Sequence, residues 1–66
     1  MEFKNRLKEL RKEEELTQKQ LAKYLNVSYR TVSSWEAGTR QPDYEILISL
    51  CKYFDVSADY LLGLTD

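Results

Sequence analysis

Between Ser28 and Glu36 the chain reads SYRTVSSWE. A guanidinium and a run of hydroxyls sit close together there, with one acid at the end. Such groups donate and accept hydrogen bonds, and a hydroxyl becomes a nucleophile only when a base activates it. The planar fork of Arg30 matches guanine O6 and N7, and the hydroxyls of Ser33 and Ser34 can bond several kinds of base edge. The chemistry on offer is recognition. Catalysis lacks its parts: the sequence has no histidine, no nucleophile–base pair and no glycine-rich phosphate loop. Asp55 and Asp59 are four apart and read as a solvated helix start. A single cysteine permits no internal disulfide, and without histidine a zinc site is not expected. No metal, cofactor, catalytic residue or small-molecule ligand is therefore expected.

Recognition needs an element that presents those side chains outward. At about 100° per residue, a helix from Ser28 turns Ser28, Val32 and Trp35 toward a core. Arg30, Ser33, Ser34 and Ala37 then lie opposite, with Tyr29 and Thr31 on the flanks. Apolar residues recur at three and four in four further segments, so the chain reads as five helices and no strand. The first carries Phe3, Leu7 and Leu10. The second follows Thr17 and carries Leu21, Ala22 and Leu25. The fourth follows Asp43 and carries Ile46, Leu47, Leu50, Cys51 and Phe54. The fifth follows Ser57 and carries Leu61 and Leu62. Thr17, Ser28, Asp43 and Ser57 are all good N-caps, and Thr17 with Gln20 fits a capping box. Staple pairs recur at Leu16/Leu21, Val27/Val32 and Val56/Leu61. Gly38 and Gly63 mark left-handed helix ends. Asn26 tolerates positive φ at the turn between the second and third helices, and Glu15 is expected at positive φ after the first.

The chain has 66 residues, enough for one domain over 1–66 and too few for an enzyme of two. No apolar run is long enough to span a bilayer, and the N-terminus lacks the apolar block of a secretory signal. A cytoplasmic location is the expectation. The net charge of −1 conceals a division. Residues 1–42 hold nine basic and six acidic residues, whereas residues 43–66 hold Lys52 against five acids. A polyanion is drawn to the first part and repelled by the second.

The stretch LRKEEELTQKQLAKYLNVSYRTVSSWEAGTRQPDYEILISLCKYFDVSADYLLG, Leu10 to Gly63, resembles the Cro and phage-repressor type of helix-turn-helix domain, the XRE-like family. The matching pieces are Thr17-Gln18, Ala22 and Val27 at the turn, Trp35-Glu36, then Gly38 and Pro42, in order and in spacing. The resemblance implies an all-α, compact five-helix bundle of the lambda-repressor-like type, with the helix-turn-helix proper at about 17–36. It implies a transcriptional regulator, read as a repressor, binding double-stranded operator DNA, usually as a dimer. By that resemblance Tyr29, Arg30, Ser33 and Ser34 face base edges. Gln18 holds phosphate and reaches toward a base, and Ser28, Thr39 and Arg40 meet phosphates. Arg11 and Glu36 correspond to the family's interior ion pair. Glu15 and Asn26 depart from the pattern, because family members often carry glycine there. Thr17 and Lys19 join the phosphate set, and Lys19, Lys23 and Arg40 add attraction blind to sequence. Charge and family together place a homodimer surface at the corner of the last two helices: Asp55, Val56, Ser57, Tyr60 and the C-terminal residues. The rival reading is an antitoxin-like protein-interaction module on the same fold.

Overall fold

A computed structural model describes residues 2–65; Met1 and Asp66, the last acid of the C-terminal third, lie outside the described residues. Five helices follow one another: α1 (Phe3–Glu13), α2 (Gln18–Leu25), α3 (Tyr29–Ala37), α4 (Tyr44–Phe54) and α5 (Ala58–Leu62). Among the described residues there is no strand, and no helix is long and apolar enough to cross a membrane.

Four of the helix starts are held in the same way. Thr17, Ser28, Asp43 and Ser57 each accept a hydrogen bond from the backbone N–H three residues on. These bonds satisfy donors that a helix start leaves without partners. At α2 the box is reciprocal: the Gln20 N–H donates to Thr17 Oγ1 at 3.0 Å, and the Thr17 N–H donates to Gln20 Oε1 at 2.8 Å. Leu16, Val27 and Val56 pack against a core that contains Leu21, Val32 and Leu61, all fully buried.

Every helix is followed within two residues by a left-handed residue: Glu15 (φ 57°), Asn26 (φ 60°), Gly38, Asp55 (φ 55°) and Gly63. Glu15 and Asn26 thus take the positive φ read from the sequence. Asp55 does so as well; it closes α4 and does not begin α5. A non-glycine residue in this region carries a cost, set by contact between Cβ and its own backbone. Glu15→Gly is expected to raise stability by about 0.5–1 kcal/mol, measured as a higher urea midpoint at unchanged slope. Gly63 is the opposite case. At φ 79° a methyl group there would lie 2.5 Å from Cβ of Glu2. Gly63→Ala is expected to cost about 1–3 kcal/mol and to lower the thermal midpoint.

The core draws on all five helices: Phe3 and Leu7, Leu21, Ala22 and Leu25, Val32 and Trp35, Leu50, and Leu61. Leu50 is the single fully buried residue of α4, while Tyr44 and Ile48 on that helix are exposed. Cys51 is a half-buried free thiol whose pKa is pushed up by burial, which keeps it a thiol and little reactive.

One expected core contact is corrected. Ser28 does not face inward; it is exposed. Counting 100° per residue extends helical geometry to a residue whose backbone is extended (φ −77°, ψ 154°). As N-cap, its side chain turns back over the helix end instead.

Arg6 closes the bundle. Its Nη1 donates to the carbonyls of Tyr60 (2.7 Å) and Thr65 (2.5 Å), and the guanidinium lies 4.4 Å from the centroid of the Tyr60 ring. Arg6→Ala is expected to destabilise by about 1–2 kcal/mol, with the extra amide exchange confined to α5 and the residues after it.

Candidate nucleic-acid interface

The end of α3 is fixed to α1 by a buried ion pair. Arg11 Nε donates to Glu36 Oε2 at 2.7 Å and Nη2 donates to Oε1 at 2.9 Å, with side chains 11% and 4% exposed. The fork is bidentate, the geometry that a guanidinium and a carboxylate favour. Arg11 Nη1 also donates to the Leu16 carbonyl at 2.7 Å, so one side chain joins α1, the α1–α2 turn and α3. The bond to Glu36 raises the guanidinium pKa, against the opposing effect of burial.

Gln18 belongs to this network. Its Nε2 donates to Glu36 Oε1 at 3.1 Å. One further N–H of the amide and its carbonyl oxygen remain for other partners. The sequence carries no direct signal for this contact, since the two residues are 18 apart on different helices.

α2 and α3 are joined by Asn26, Val27 and Ser28 alone, and the Val27 N–H returns to the Ala22 carbonyl at 3.0 Å. Ala22 is buried at this crossing. The sharp turn leaves the start of α3 exposed: Ser28, Tyr29 and Arg30 all face solvent. Thr31, Ser33 and Ser34 are half-buried.

Ser28, Arg30, Thr31, Ser34 and Arg40 line one open depression of about 340 Å³. Two guanidinium-bearing residues and three hydroxyls share it, and no carboxylate does. Thr31, read from the helical angle as a flank residue, belongs to this set. The spacing Ser28–Thr31–Ser34 is the signal that could have found it, because residues three apart stack on one helix face. The hydroxyls are partly committed. Ser34 Oγ donates to the Thr31 carbonyl at 2.7 Å, so its free lone pairs can still accept. Thr39 Oγ1 donates to the Ser34 carbonyl at 3.2 Å, which holds the segment after α3 against the helix. Ser28 Oγ and Thr31 Oγ1 lie 3.1 Å apart.

Tyr29 stands outside that depression. Its ring faces Lys19 of α2, whose Nζ is 5.3 Å from the ring centroid. The contact links the first turns of α2 and α3 and sets Lys19, Gln18 and Tyr29 at the seam between them. Thr17 is exposed beside them, with its hydroxyl engaged as the α2 cap. Ser33 lines neither group.

The arrangement of two short helices at a three-residue turn matches a known family. A helix-turn-helix family model matches residues 7–61. An HTH-type transcriptional regulator of Bacillus subtilis, YobD, described as uncharacterised, is 41% identical over 61 residues, which is 92% of this chain and 54% of that protein. This chain belongs to the helix-turn-helix family of the Cro and phage-repressor type. The HTH-type transcriptional activator BcrR of Enterococcus faecalis is 45% identical over 63 residues, covering 96% of this chain and 31% of BcrR. The crystal structure of a transcriptional regulator from Listeria innocua superposes with a TM-score of 0.90 at 42% identity, over 97% of this chain and 60% of that one. The chain thus spans about half the length of YobD and under a third of BcrR.

Proposed function

We propose that residues 1–66 form a single domain that binds double-stranded operator DNA and regulates transcription, with α3 lying in the major groove from Ser28 onward. The observation that carries this reading is the depression on α3, where Arg30 and Arg40 flank hydroxyls with no carboxylate among them. Arg30, Tyr29, Ser33, Ser34 and Gln18 read base edges. Thr17, Gln18, Lys19, Ser28, Thr39 and Arg40 hold phosphates, joined by Thr31. The amide of Gln18 suits both tasks, since one N–H is held by Glu36 and the rest of the group stays available. The regulator acts in the cytoplasm and represses wherever its operator overlaps a promoter.

One α3 reaches only a few base pairs. A two-fold dimer doubles the site and spaces the half-sites by about 34 Å, one helical turn. The α4/α5 corner suits such a surface. Asp55 and Ser57 are exposed, Val56 and Tyr60 are half-buried, and Leu64 beyond α5 is exposed. Its acids also keep it off the DNA. Tyr44 and Ile48, exposed on α4, support a second reading in which a protein partner is the main target.

Selection from random duplexes tests the proposal. Recovery of a motif with two-fold symmetry and half-sites one turn apart is the expected outcome, together with affinity that falls steeply as salt is added. Failure to enrich any motif, with weak and salt-insensitive binding, would favour the protein partner.

A further inference from the structure

Lys4 lies near the beginning of α1, outside the helix-turn-helix, yet its side chain ends at the far end of α3. A methyl group at Gly38 would stand 3.0 Å from Cδ of Lys4 and 3.5 Å from its Nζ. The side chain is half-buried across the glycine, and Phe3, Lys4, Trp35, Gly38 and Gln41 enclose a small cavity of about 60 Å³. A side chain at Gly38 would press on the lysine stem there.

A cation at a helix C-terminus ordinarily serves the last carbonyls. Two of those carbonyls are already served here. The Ser34 carbonyl accepts from the N–H groups of Thr39 (3.0 Å) and Arg40 (3.4 Å), and the Trp35 carbonyl accepts from Gly38 (3.2 Å). The nearest acid in α3, Glu36, is occupied by Arg11 and Gln18. Among the described residues the Arg11–Glu36 contact is the only salt bridge, and no side-chain hydrogen bond engages Lys4 Nζ. A positive charge is thus held beside the segment Gly38–Gln41, two residues from Arg40, with no partner for its three donors among the described residues.

We propose that Lys4 is a further phosphate-binding residue, which extends the DNA contact from α3 and the loop after it onto α1. The inference rests on the DNA-binding reading above. A strongly hydrated ammonium on a flexible stem suits a phosphate oxygen as a point charge and carries no sequence information.

The test compares the full chain with Lys4→Gln and Lys4→Arg, using a duplex of about 20 base pairs that carries the selected motif. Affinity is followed by fluorescence anisotropy across a range of potassium chloride concentrations, and folding by thermal melting. Lys4→Gln should lower the slope of log affinity against log salt by about 0.9 per bound copy, weakening matched and mismatched duplexes alike. Lys4→Arg should restore the slope. An unchanged slope for Lys4→Gln, with or without a lowered melting temperature, would overturn the proposal and leave Lys4 as packing for the end of α3. If the wild-type chain itself shows no salt-dependent binding, the DNA-binding reading falls, and this proposal with it.

Discussion

Arg11→Ala is expected to destabilise the domain by about 3–5 kcal/mol, because it strands the Glu36 carboxylate in the interior. That side chain is 4% exposed, and Gln18 would be its one remaining partner. The Leu16 carbonyl loses a donor in the same step. A chain of this size has a total stability of roughly 3–10 kcal/mol, so the variant should lose a third or more of it. Urea titration followed by circular dichroism gives the value. A loss below about 1 kcal/mol would show that the pair behaves as a solvent-screened surface contact. The double replacement Arg11→Met with Glu36→Leu should recover most of the loss, since it removes both buried charges together. The pH dependence follows in sign. The guanidinium's pKa is raised in the fold, so its contribution is complete below the unfolded value and is lost only above about pH 12. Loss of stability at milder alkaline pH must therefore come from other groups.

Two arginines on the same depression are expected to fail differently. Arg30→Ala should cost about 1–3 kcal/mol of binding per half-site and flatten the preference at one base pair, with the fold intact. Arg40→Ala should weaken all duplexes by a similar factor and reduce the salt slope by about 0.9 per copy, with the preferred motif unchanged. Competition binding against a panel of single-base variants separates the two. The expectation follows from position: Arg30 projects from the exposed first turn of α3, whereas Arg40 lies beyond the helix on a segment held by Thr39. If Arg40→Ala altered the motif and Arg30→Ala did not, the roles assigned to them would have to be exchanged.

Local features of the fold were legible because their causes span only a few residues. A cap and its N–H are three apart, a staple spans five, and a left-handed corner concerns one residue. Thr17, Asp43, Ser57, Asn26 and Glu15 were readable on that scale. Ser28 was read correctly as a cap and wrongly as a core residue, because cap geometry ends the helical angle that the second reading assumed. Asp55 was missed as a corner because Ser57 two residues later gave the stronger signal. Contacts between distant segments left little trace. Arg6 and Lys4 look like ordinary surface residues of their helices, and Gln18 was read for DNA contact and not for a bond to Glu36. Their partners at Tyr60 and Thr65, at Gly38 and at Glu36 depend on how the helices are arranged. The Arg11–Glu36 pair was anticipated through family resemblance alone. At the interface, the exposed place of Arg30 on α3 followed from its angle, while the half-burial of Ser33 and Ser34, the inclusion of Thr31 and the pairing of Lys19 with Tyr29 required the assembled bundle.

The five left-handed corners bear on how quickly the protein assembles. Four of them lie between successive helices, which are joined by three to six residues without a long excursion of backbone. Little loop-closure entropy is lost before apolar faces touch, and helical topologies of this kind reach the native state in microseconds to milliseconds. A newly made chain should therefore spend almost no time with its apolar surface open to aggregation.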